Sequence, residues 1–197
     1  MFVMTVGAMA EIERQTDKKE ELVLKARSDA DALGQLYDLF YDRIFRFCVH
    51  RLFSRDIAED VTSSIFLAVA SNIKNFKGRT EADFQSWLYA IAVNHTNAYI
   101  RKTSRRQKLL EEAAAVTISG TNNPDNTSRL DWPALYKTVM KLKPKHQTIV
   151  ILRFFENMDF DEIGRITRTK PATVRVTLHR ILKQLRNHLQ AILDGEK

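Results

Sequence analysis

The sequence has little of what interrupts helices. It contains six glycines and four prolines in 197 residues, about 5% together against a usual sum near 12%. Most of its apolar residues recur at helical spacing. The composition therefore predicts an all-α protein, and the length allows one large or two small domains, each with its own core.

Cysteine is nearly absent. Cys48 is the only one, which excludes a disulfide framework and a thiolate metal cluster and fits a reduced, cytoplasmic setting. The opening MFVMTVGAMA is apolar, but it is short, lacks a cationic start and runs into Glu11 and Glu13. We therefore expect neither a signal peptide nor insertion into a membrane.

Motifs of common enzyme classes are also missing. The sequence contains no GxxxxGK[ST], HExxH or GxSxG pattern. Its histidines show no metal-ligand spacing to carboxylates; they are His50, His95, His146, His179 and His188. We expect a protein that is not an enzyme and that needs no cofactor and no metal.

Positive charge is concentrated near the C-terminus. From Pro133 to Lys197 there are 13 Lys and Arg against 6 Asp and Glu, whereas the first 132 residues hold 18 of each. The whole net charge of +7 therefore lies in the last third of the chain. This asymmetry favours a local surface for a polyanion.

The apolar pattern predicts two small helical domains joined by a flexible linker. Residues 20–108 form a continuous series of predicted helices after a disordered tail, 1–19. Residues 109–131 include SGTNNPDNTS, which is rich in turn formers and poor in large apolar side chains, so they are the expected linker. A second helical domain is predicted over 132–197.

The segment from Asp159 to Leu189 predicts a helix-turn-helix. A short amphipathic helix precedes a turn of about three residues, and Pro171 opens a longer helix, because proline is favoured at the first helical position. Apolar residues at helical spacing predict the core stripe of the second helix. They are Val174, Leu178, Ile181, Leu182, Leu185 and Leu189.

Basic side chains occupy the other side of this second helix. Arginine offers two parallel donors to guanine, and cations neutralise phosphates, so such a face suits the major groove of DNA. The candidate contact residues are Lys170, Thr173, Arg175, Val176, His179, Arg180 and Lys183. The segment alone also fits an ordinary helix hairpin with a solvated charged face.

In the first domain, Ile57–Ile73 is a predicted amphipathic helix. Its predicted core stripe comprises Val61, Ile65, Ala68 and Val69. Leu67 lies on the polar side with Asp60 and Ser64. An isolated exposed leucine is common, and a partner surface would look the same, so the periodicity leaves both interpretations open.

A loop near Asn75–Asp83 is predicted next, followed by a helix to about Lys108. Cations, an amide and an aromatic ring alternate in this loop, a composition that suits unstacked single-stranded DNA, although a solvated loop fits nearly as well. The candidates here are Lys74, Asn75, Phe76, Lys77 and Arg79. A basic strip on the helix adds Arg101, Lys102, Arg105 and Arg106.

The same helix has a predicted core face. It comprises Phe84, Trp87, Leu88 and Ile91. His95 continues that face, so we expect a buried histidine with its hydrogen bonds satisfied rather than a ligand or a base.

Together these features give the chain a resemblance to the extracytoplasmic-function sigma factors of bacterial RNA polymerase. LYDLFYDRIFRFCVHRLF, AEDVTSSIF and FQSWLYAIAVNHTNAYIRK are similar to the family's core-binding and promoter-melting domain. LKPKHQTIVILRFFENMDFDEIGRITRTKPATVRVTLHRILKQLR is similar to its upstream-element-reading domain. The resemblance covers roughly residues 20–108 and 132–189 and implies a transcription initiation factor that brings core RNA polymerase to promoters.

The resemblance implies a role for each candidate group. The loop would capture a base flipped from the −10 element, the basic strip would hold the backbone there, and the second helix of the helix-turn-helix would read the −35 element. The implied partners are core RNA polymerase, promoter DNA in duplex and single-stranded form, and an anti-sigma factor. The clamp helices of the largest polymerase subunit would bind Asp60, Ser63, Ser64 and Leu67.

The chain departs from the family pattern at several positions. Ser63 and Ser64 stand where the family usually has an amide and an acidic residue, and Ala98 stands where aspartate is common. Arg168 replaces the usual turn glycine, which costs about 1 kcal/mol if the residue is left-handed. Lys170 replaces the usual serine N-cap, which forfeits about 1 kcal/mol of capping.

A second interpretation is a dimeric helix-turn-helix regulator that does not dock as a polymerase subunit. It explains the C-terminal domain equally well and predicts a palindromic operator. It does not explain the basic strip and loop of the first domain.

Overall fold

The structure, a computed structural model, describes residues 16–114, 139 and 142–195, with side chains for 16–105, 139 and 142–187. These residues are helical apart from short connections, as the sequence predicts. By its internal contacts the chain divides into two compact units, Met1–His95 and Thr96–Lys197. None of the described helices is long and apolar enough to cross a bilayer.

The first unit is built from successive helices. Helix α1 is described from residue 16 to 25, α2 spans Ala30–Leu52 and α3 spans Arg55–Asn72. A short 3-10 turn, Ile73–Asn75, follows α3. Helix α4 spans Glu81–Ala114, so it starts in this unit.

Capping residues set where α2 and α3 begin. The Asp29 carboxylate accepts a hydrogen bond from the Asp31 N–H at the start of α2. The Ser54 hydroxyl accepts one from the Ile57 N–H at the start of α3. Between them, Phe53 is left-handed with φ of 56° and closes α2. The two caps satisfy backbone donors that the start of a helix leaves open. Since α2 ends at Phe53 and α3 begins directly after Ser54, the two helices are joined by a short turn and α3 packs against α2.

Aromatic rings join α2 to α4 in the core of the first unit. Phe40 meets Phe84 with ring centroids 5.3 Å apart, and Phe47 meets Tyr89 at 5.6 Å. All four rings are fully buried. Such pairs add about 0.5–1.5 kcal/mol each to the burial of their area, so α4 is firmly seated where it begins.

Element limits differ from the prediction in two places. Helix α4 continues to Ala114, past the predicted end at Lys108. Residues 16–19 are helical, whereas the predicted tail included them; the rest of that tail lies outside the described residues. The predicted linker from residue 115 onward also lies outside them. The predicted domain limits therefore stay a prediction.

The second unit contains three packed helices near the C-terminus. They are α5, Pro144–Phe154, α6, Phe160–Thr167, and α7, Pro171–Gly195. Six consecutive residues of α5, 147–152, are buried, because α6 and α7 both pack on this helix. Two buried polar side chains of α5 are satisfied locally: the Gln147 amide donates to the Leu142 carbonyl at 2.8 Å, and the Thr148 hydroxyl donates to the Pro144 carbonyl at 3.0 Å.

Candidate functional site

The helix-turn-helix is confirmed, with a turn of three residues between α6 and α7. At the start of α6, the Asp159 carboxylate accepts from the Glu162 N–H while the Glu162 carboxylate accepts from the Asp159 N–H, both at 2.8 Å. This reciprocal capping box fixes the beginning of the helix. At its end, Arg168 adopts φ 51° and ψ 49°, the left-handed conformation in which a non-glycine residue is strained.

Gly164 allows the turn to fold back on α6. The Thr169 N–H donates to the Gly164 carbonyl at 2.9 Å, and a Cβ on Gly164 would lie 2.7 Å from the Thr169 carbonyl oxygen. No larger residue fits without moving the backbone. The angle between α6 and α7 therefore depends on residue 164 being glycine.

Helix α7 separates apolar from polar side chains as predicted, with one exception. Val174, Leu178, Ile181 and Leu185 are buried, whereas Leu182, expected in the same stripe, is 41% exposed. Leu182 therefore lies at the edge of the buried stripe. The side chain of Leu189 lies outside the described residues. The seven candidate groove residues are all exposed: Lys170, Thr173, Arg175, Val176, His179, Arg180 and Lys183.

Phe160 supports the exposed face from α6, a role that the sequence did not reveal. The guanidinium carbons of Arg153 and Arg175 each lie 5.1 Å from the centroid of its ring. Arg153 also donates to the Met158 carbonyl at 2.8 Å. Because cations are attracted to an aromatic ring, Phe160 restricts where the Arg175 side chain can point.

The outer face of α3 exposes the four residues predicted to bind a protein partner. Asp60, Ser63, Ser64 and Leu67 lie at i, i+3, i+4 and i+7, on one side of the helix. Leu67 is 70% exposed. The Ser64 hydroxyl donates to the Asp60 carbonyl at 3.0 Å, so it is engaged with its own helix. On the opposite side Val61, Ile65 and Val69 are buried, while Ala68 is only half-buried.

The loop between α3 and α4 is ordered by the start of α4. The Asp83 carboxylate accepts hydrogen bonds from the N–H groups of Arg79 and Thr80 at 3.0 and 3.1 Å. In return, the Thr80 hydroxyl accepts from the Asp83 N–H at 3.1 Å. One side chain thus caps the helix and holds the end of the loop.

Four of the five loop candidates are exposed, namely Lys74, Asn75, Lys77 and Arg79. Phe76 differs, because its ring is only 7% exposed. It packs against Phe84 and Trp87 with centroid distances of 5.8 and 5.0 Å. The expectation that this ring would offer an open stacking surface is therefore not met, and Phe76 supports the loop from below.

A groove of about 300 Å³ lies beside the loop. Its lining combines apolar side chains with three amides and an imidazole: Ala68, Asn72, Asn75, Trp87, Ile91, Asn94 and His95. His95, expected in the core, is half-buried here, as are Trp87 and Ile91, whereas Phe84 and Leu88 are fully buried. Sequence reasoning did not identify Asn72 and Asn94 as lining residues. The signal that could have found them is the presence of amide side chains before and after Trp87 in the sequence.

The basic strip lies farther along α4. Arg101, Lys102 and Arg105 are exposed. The side chain of Arg106 lies outside the described residues. The strip therefore presents cations to solvent, at positions that suit contacts with phosphates.

Comparison with known families matches both parts of the chain. The family model of Sigma-70 region 2 matches residues 36–106, and that of Sigma-70, region 4 matches residues 133–185. The first match contains the loop, the groove and the outer face of α3. The second contains the helix-turn-helix. Together they span well over half of the chain.

Individual relatives agree with these matches. The chain is 27% identical to the ECF RNA polymerase sigma factor SigW of Bacillus subtilis over 182 residues, which are 87% of this chain and 96% of the relative. The structure resembles CnrH bound to the cytosolic domain of CnrY, with a TM-score of 0.62, 18% identity, and coverage of 91% of this chain and 99% of that one. It also resembles RpoE bound to the anti-sigma factor NepR from Bartonella quintana, with a TM-score of 0.58, 19% identity, and coverage of 80% and 96%.

At identities below 20%, the two similar structures support the fold alone. The assignment to a family depends on the region matches and on the relatives. The second interpretation, a dimeric regulator, leaves the region 2 match unexplained. The chain belongs to the extracytoplasmic-function sigma factors of the sigma-70 family, non-enzymatic initiation factors that direct RNA polymerase to promoters through regions 2 and 4.

Proposed function

We propose that the exposed face of α7 reads the −35 element as duplex DNA. The observation that carries this proposal is the separation of that helix into a buried apolar stripe and an exposed face with three cations, Arg175, Arg180 and Lys183. A rigid helix suits the major groove, where Arg discriminates guanine through paired donors. Thr173, Val176 and His179 complete the face, and Lys170 contacts phosphate at its start.

The groove beside the loop captures a base from the −10 element. Its amides at Asn72, Asn75 and Asn94 offer donors and acceptors for the edge of an unpaired base, and Trp87 offers a partly open aromatic surface. Flipping a base costs a few kcal/mol of stacking, which such contacts offset. Lys74, Lys77 and Arg79 lie on the loop as phosphate contacts.

The basic strip on α4 holds the backbone of the same element. Its exposed cations, Arg101, Lys102 and Arg105, carry no base specificity in this role. Arg106 is assigned to the same role from the sequence.

The outer face of α3 binds the largest subunits of core RNA polymerase. Leu67 is the apolar centre of this surface, and Asp60 supplies a charge at its edge. Because the family's usual amide and acidic residue are serines here, Ser63 and Ser64 contribute hydrogen bonds but no charge. Since polymerase is cytoplasmic, the chain acts there.

An anti-sigma factor is a further proposed partner. The similar structure of RpoE is of a sigma factor in complex with the anti-sigma factor NepR. An anti-sigma factor for this chain would compete with core polymerase. Titrating a candidate inhibitor against the complex of this chain with polymerase would measure that competition.

Run-off transcription with purified core polymerase tests the proposed function. Genomic promoter fragments are transcribed with and without the full chain, and the mixture is separated by size. We expect one heteromeric species and new start sites that appear only with this chain. A free dimer that leaves the start sites unchanged contradicts the proposal.

Leu67→Lys tests the polymerase surface specifically. Leu67 is 70% exposed, so the change should leave stability within about 0.5 kcal/mol of the wild type while it weakens co-elution with polymerase. Leu24→Lys is the matched control, because Leu24 is also an exposed leucine of the first unit, at 45%. Equal co-elution of both variants would remove α3 from the proposed interface.

A further inference from the structure

The loop that precedes α4 is held from a distance as well as from its own ends. The Arg27 guanidinium donates through Nη2 to the Gly78 carbonyl, across 51 positions of sequence. Its Cζ also lies 5.6 Å from the centroid of the Phe76 ring. A single side chain from the turn between α1 and α2 therefore contacts both the backbone and the buried ring of the loop.

A second contact joins the same parts of the unit. Lys19 of α1 forms an ion pair with Glu81, the first residue of α4, at 3.1 Å. This pair is partly exposed, so it is a weak restraint on its own. The pair shows that α1 lies beside Glu81, the residue at which the loop ends and α4 begins. Lys19 and Arg27 therefore both join the N-terminal part of the unit to this region.

The loop backbone leaves no room to rearrange around these contacts. A Cβ on Gly78 would collide with the Phe76 ring and the Asp83 side chain. Gly78 thus lies in a tight space between the ring that Arg27 covers and the carboxylate that caps α4. The Gly78 carbonyl accepts from Arg27, so this backbone acceptor is satisfied by a side chain from outside the loop.

We propose that Arg27 is a positioning residue for recognition of the −10 element. It fixes Gly78 and Phe76, and so sets the positions of Asn75, which lines the groove, and of the exposed Lys77 on the loop. Arg27 does not touch DNA in this role. The inference rests on the proposed function of the groove, and it adds the turn before α2 to the parts of the protein that decide promoter choice.

Arginine suits this role better than lysine for a geometric reason. Its planar guanidinium donates to a carbonyl in its own plane while its face covers an aromatic ring. An ammonium makes one of these contacts at a time. Arg27→Lys should therefore keep the charge and lose part of the positioning.

The test measures discrimination at a single −10 base. Full-length variants are combined with core polymerase, and run-off transcription is compared on two promoters that differ only at the base proposed to enter the groove. The ratio between the promoters does not depend on the fraction of active protein, so a variant that merely folds less well leaves it unchanged.

Asn75→Ala serves as the positive control and Lys25→Ala as the matched negative control. Lys25 is an exposed cation two positions before Arg27, and its ammonium pairs with Glu21 of its own helix at 2.7 Å. We expect the discrimination ratio to fall about tenfold in Asn75→Ala, as for a lost base contact. It should fall about fivefold in Arg27→Ala, less in Arg27→Lys, and not at all in Lys25→Ala.

An unchanged ratio in Arg27→Ala overturns the inference. If Asn75→Ala still lowers the ratio in that case, base capture by the groove stands and only the role of Arg27 fails. If neither variant changes it, the groove assignment fails as well. Co-elution of each variant with core polymerase, which is proposed to bind α3 of the same unit, confirms that the first unit is folded, and Arg27→Lys gives a second reading should Arg27→Ala fail that control.

Discussion

The two surfaces proposed to read promoter DNA are supported in different ways. In the helix-turn-helix, the supporting hydrogen bonds join residues at most six positions apart, such as Gly164 with Thr169 and Leu152 with Met158. The loop before α4 depends on Arg27 and Lys19, which are 51 and 62 positions from their partners. The first surface is therefore held by bonds that form locally, whereas the second combines the local bonds of Thr80 and Asp83 with contacts from α1 and from the turn before α2.

The largest expected effect comes from a variant that changes only the exposed face of α7. Replacing both Arg175 and Arg180 with alanine should weaken binding to a −35 duplex by roughly 1–3 kcal/mol for each lost base contact. Polymerase binding should be unchanged, because α3 lies in the other unit. Fluorescence anisotropy with duplex DNA and size-exclusion with polymerase measure the two properties.

Lys145→Ala is the matched control for the double variant. It removes an exposed cation from α5 of the same unit, so any loss should be uniform across DNA sequences. Equal promoter activity of wild type and double variant would show that α7 does not read bases.

The next effect tests how local the support of the helix-turn-helix is. Gly164→Ala places a Cβ 2.7 Å from the Thr169 carbonyl oxygen and should destabilise the second unit by about 2 kcal/mol through overpacking. Gly34→Ala is the control, because nothing lies within 4 Å of its added Cβ. That helical position should gain about 0.5–1 kcal/mol. Chemical denaturation compares the two, and a neutral Gly164→Ala would contradict the close approach.

A smaller effect, of opposite sign, is expected at the turn. Arg168 has φ of 51°, so Arg168→Gly should stabilise the second unit by at most about 1 kcal/mol, the strain relieved less the extra freedom of glycine when unfolded. The first unit should not change. Thermal unfolding with a probe in each unit detects the difference; destabilisation by this variant would mean that the Arg168 side chain makes a contact of greater value.

The smallest expected effect is one that both units share. Burial lowers the pKa of His50, with Arg46 nearby, and of His146, with Lys143 and Lys145 nearby. The unfolded chain then binds protons more readily, so stability is fully present above about pH 6.5 and is lost as the pH falls below it. His146→Gln should flatten this dependence in the second unit only, and His50→Gln in the first only. Denaturation midpoints across this range measure it.

Much of the helical architecture was predictable because it follows from spacing along the chain. The buried stripe of α7 and the exposed position of Leu67 depend on which side of one helix a residue occupies. Periodicity states these facts without knowledge of any other element.

The remaining features required knowledge of contacts between distant segments. Phe76 lies in a segment whose composition is that of an exposed loop, and only its contacts with Phe84 and Trp87 show that it is buried. His95 was expected in the core, but the groove reaches that far along α4. Nothing in the sequence indicated a role for Arg27, because its partners are the Gly78 carbonyl, 51 positions away, and the nearby Phe76 ring.

The reciprocal bonds between Thr80 and Asp83 have a consequence for engineering. They tie the end of the loop to the first turn of α4, while the Phe76 ring anchors its beginning. The exposed side chains between these anchors, Lys77 and Arg79, form a replaceable cassette of constant length. On the proposed function, libraries that vary only those two positions, and keep Gly78, should change the affinity for promoter DNA while the scaffold stays unaltered.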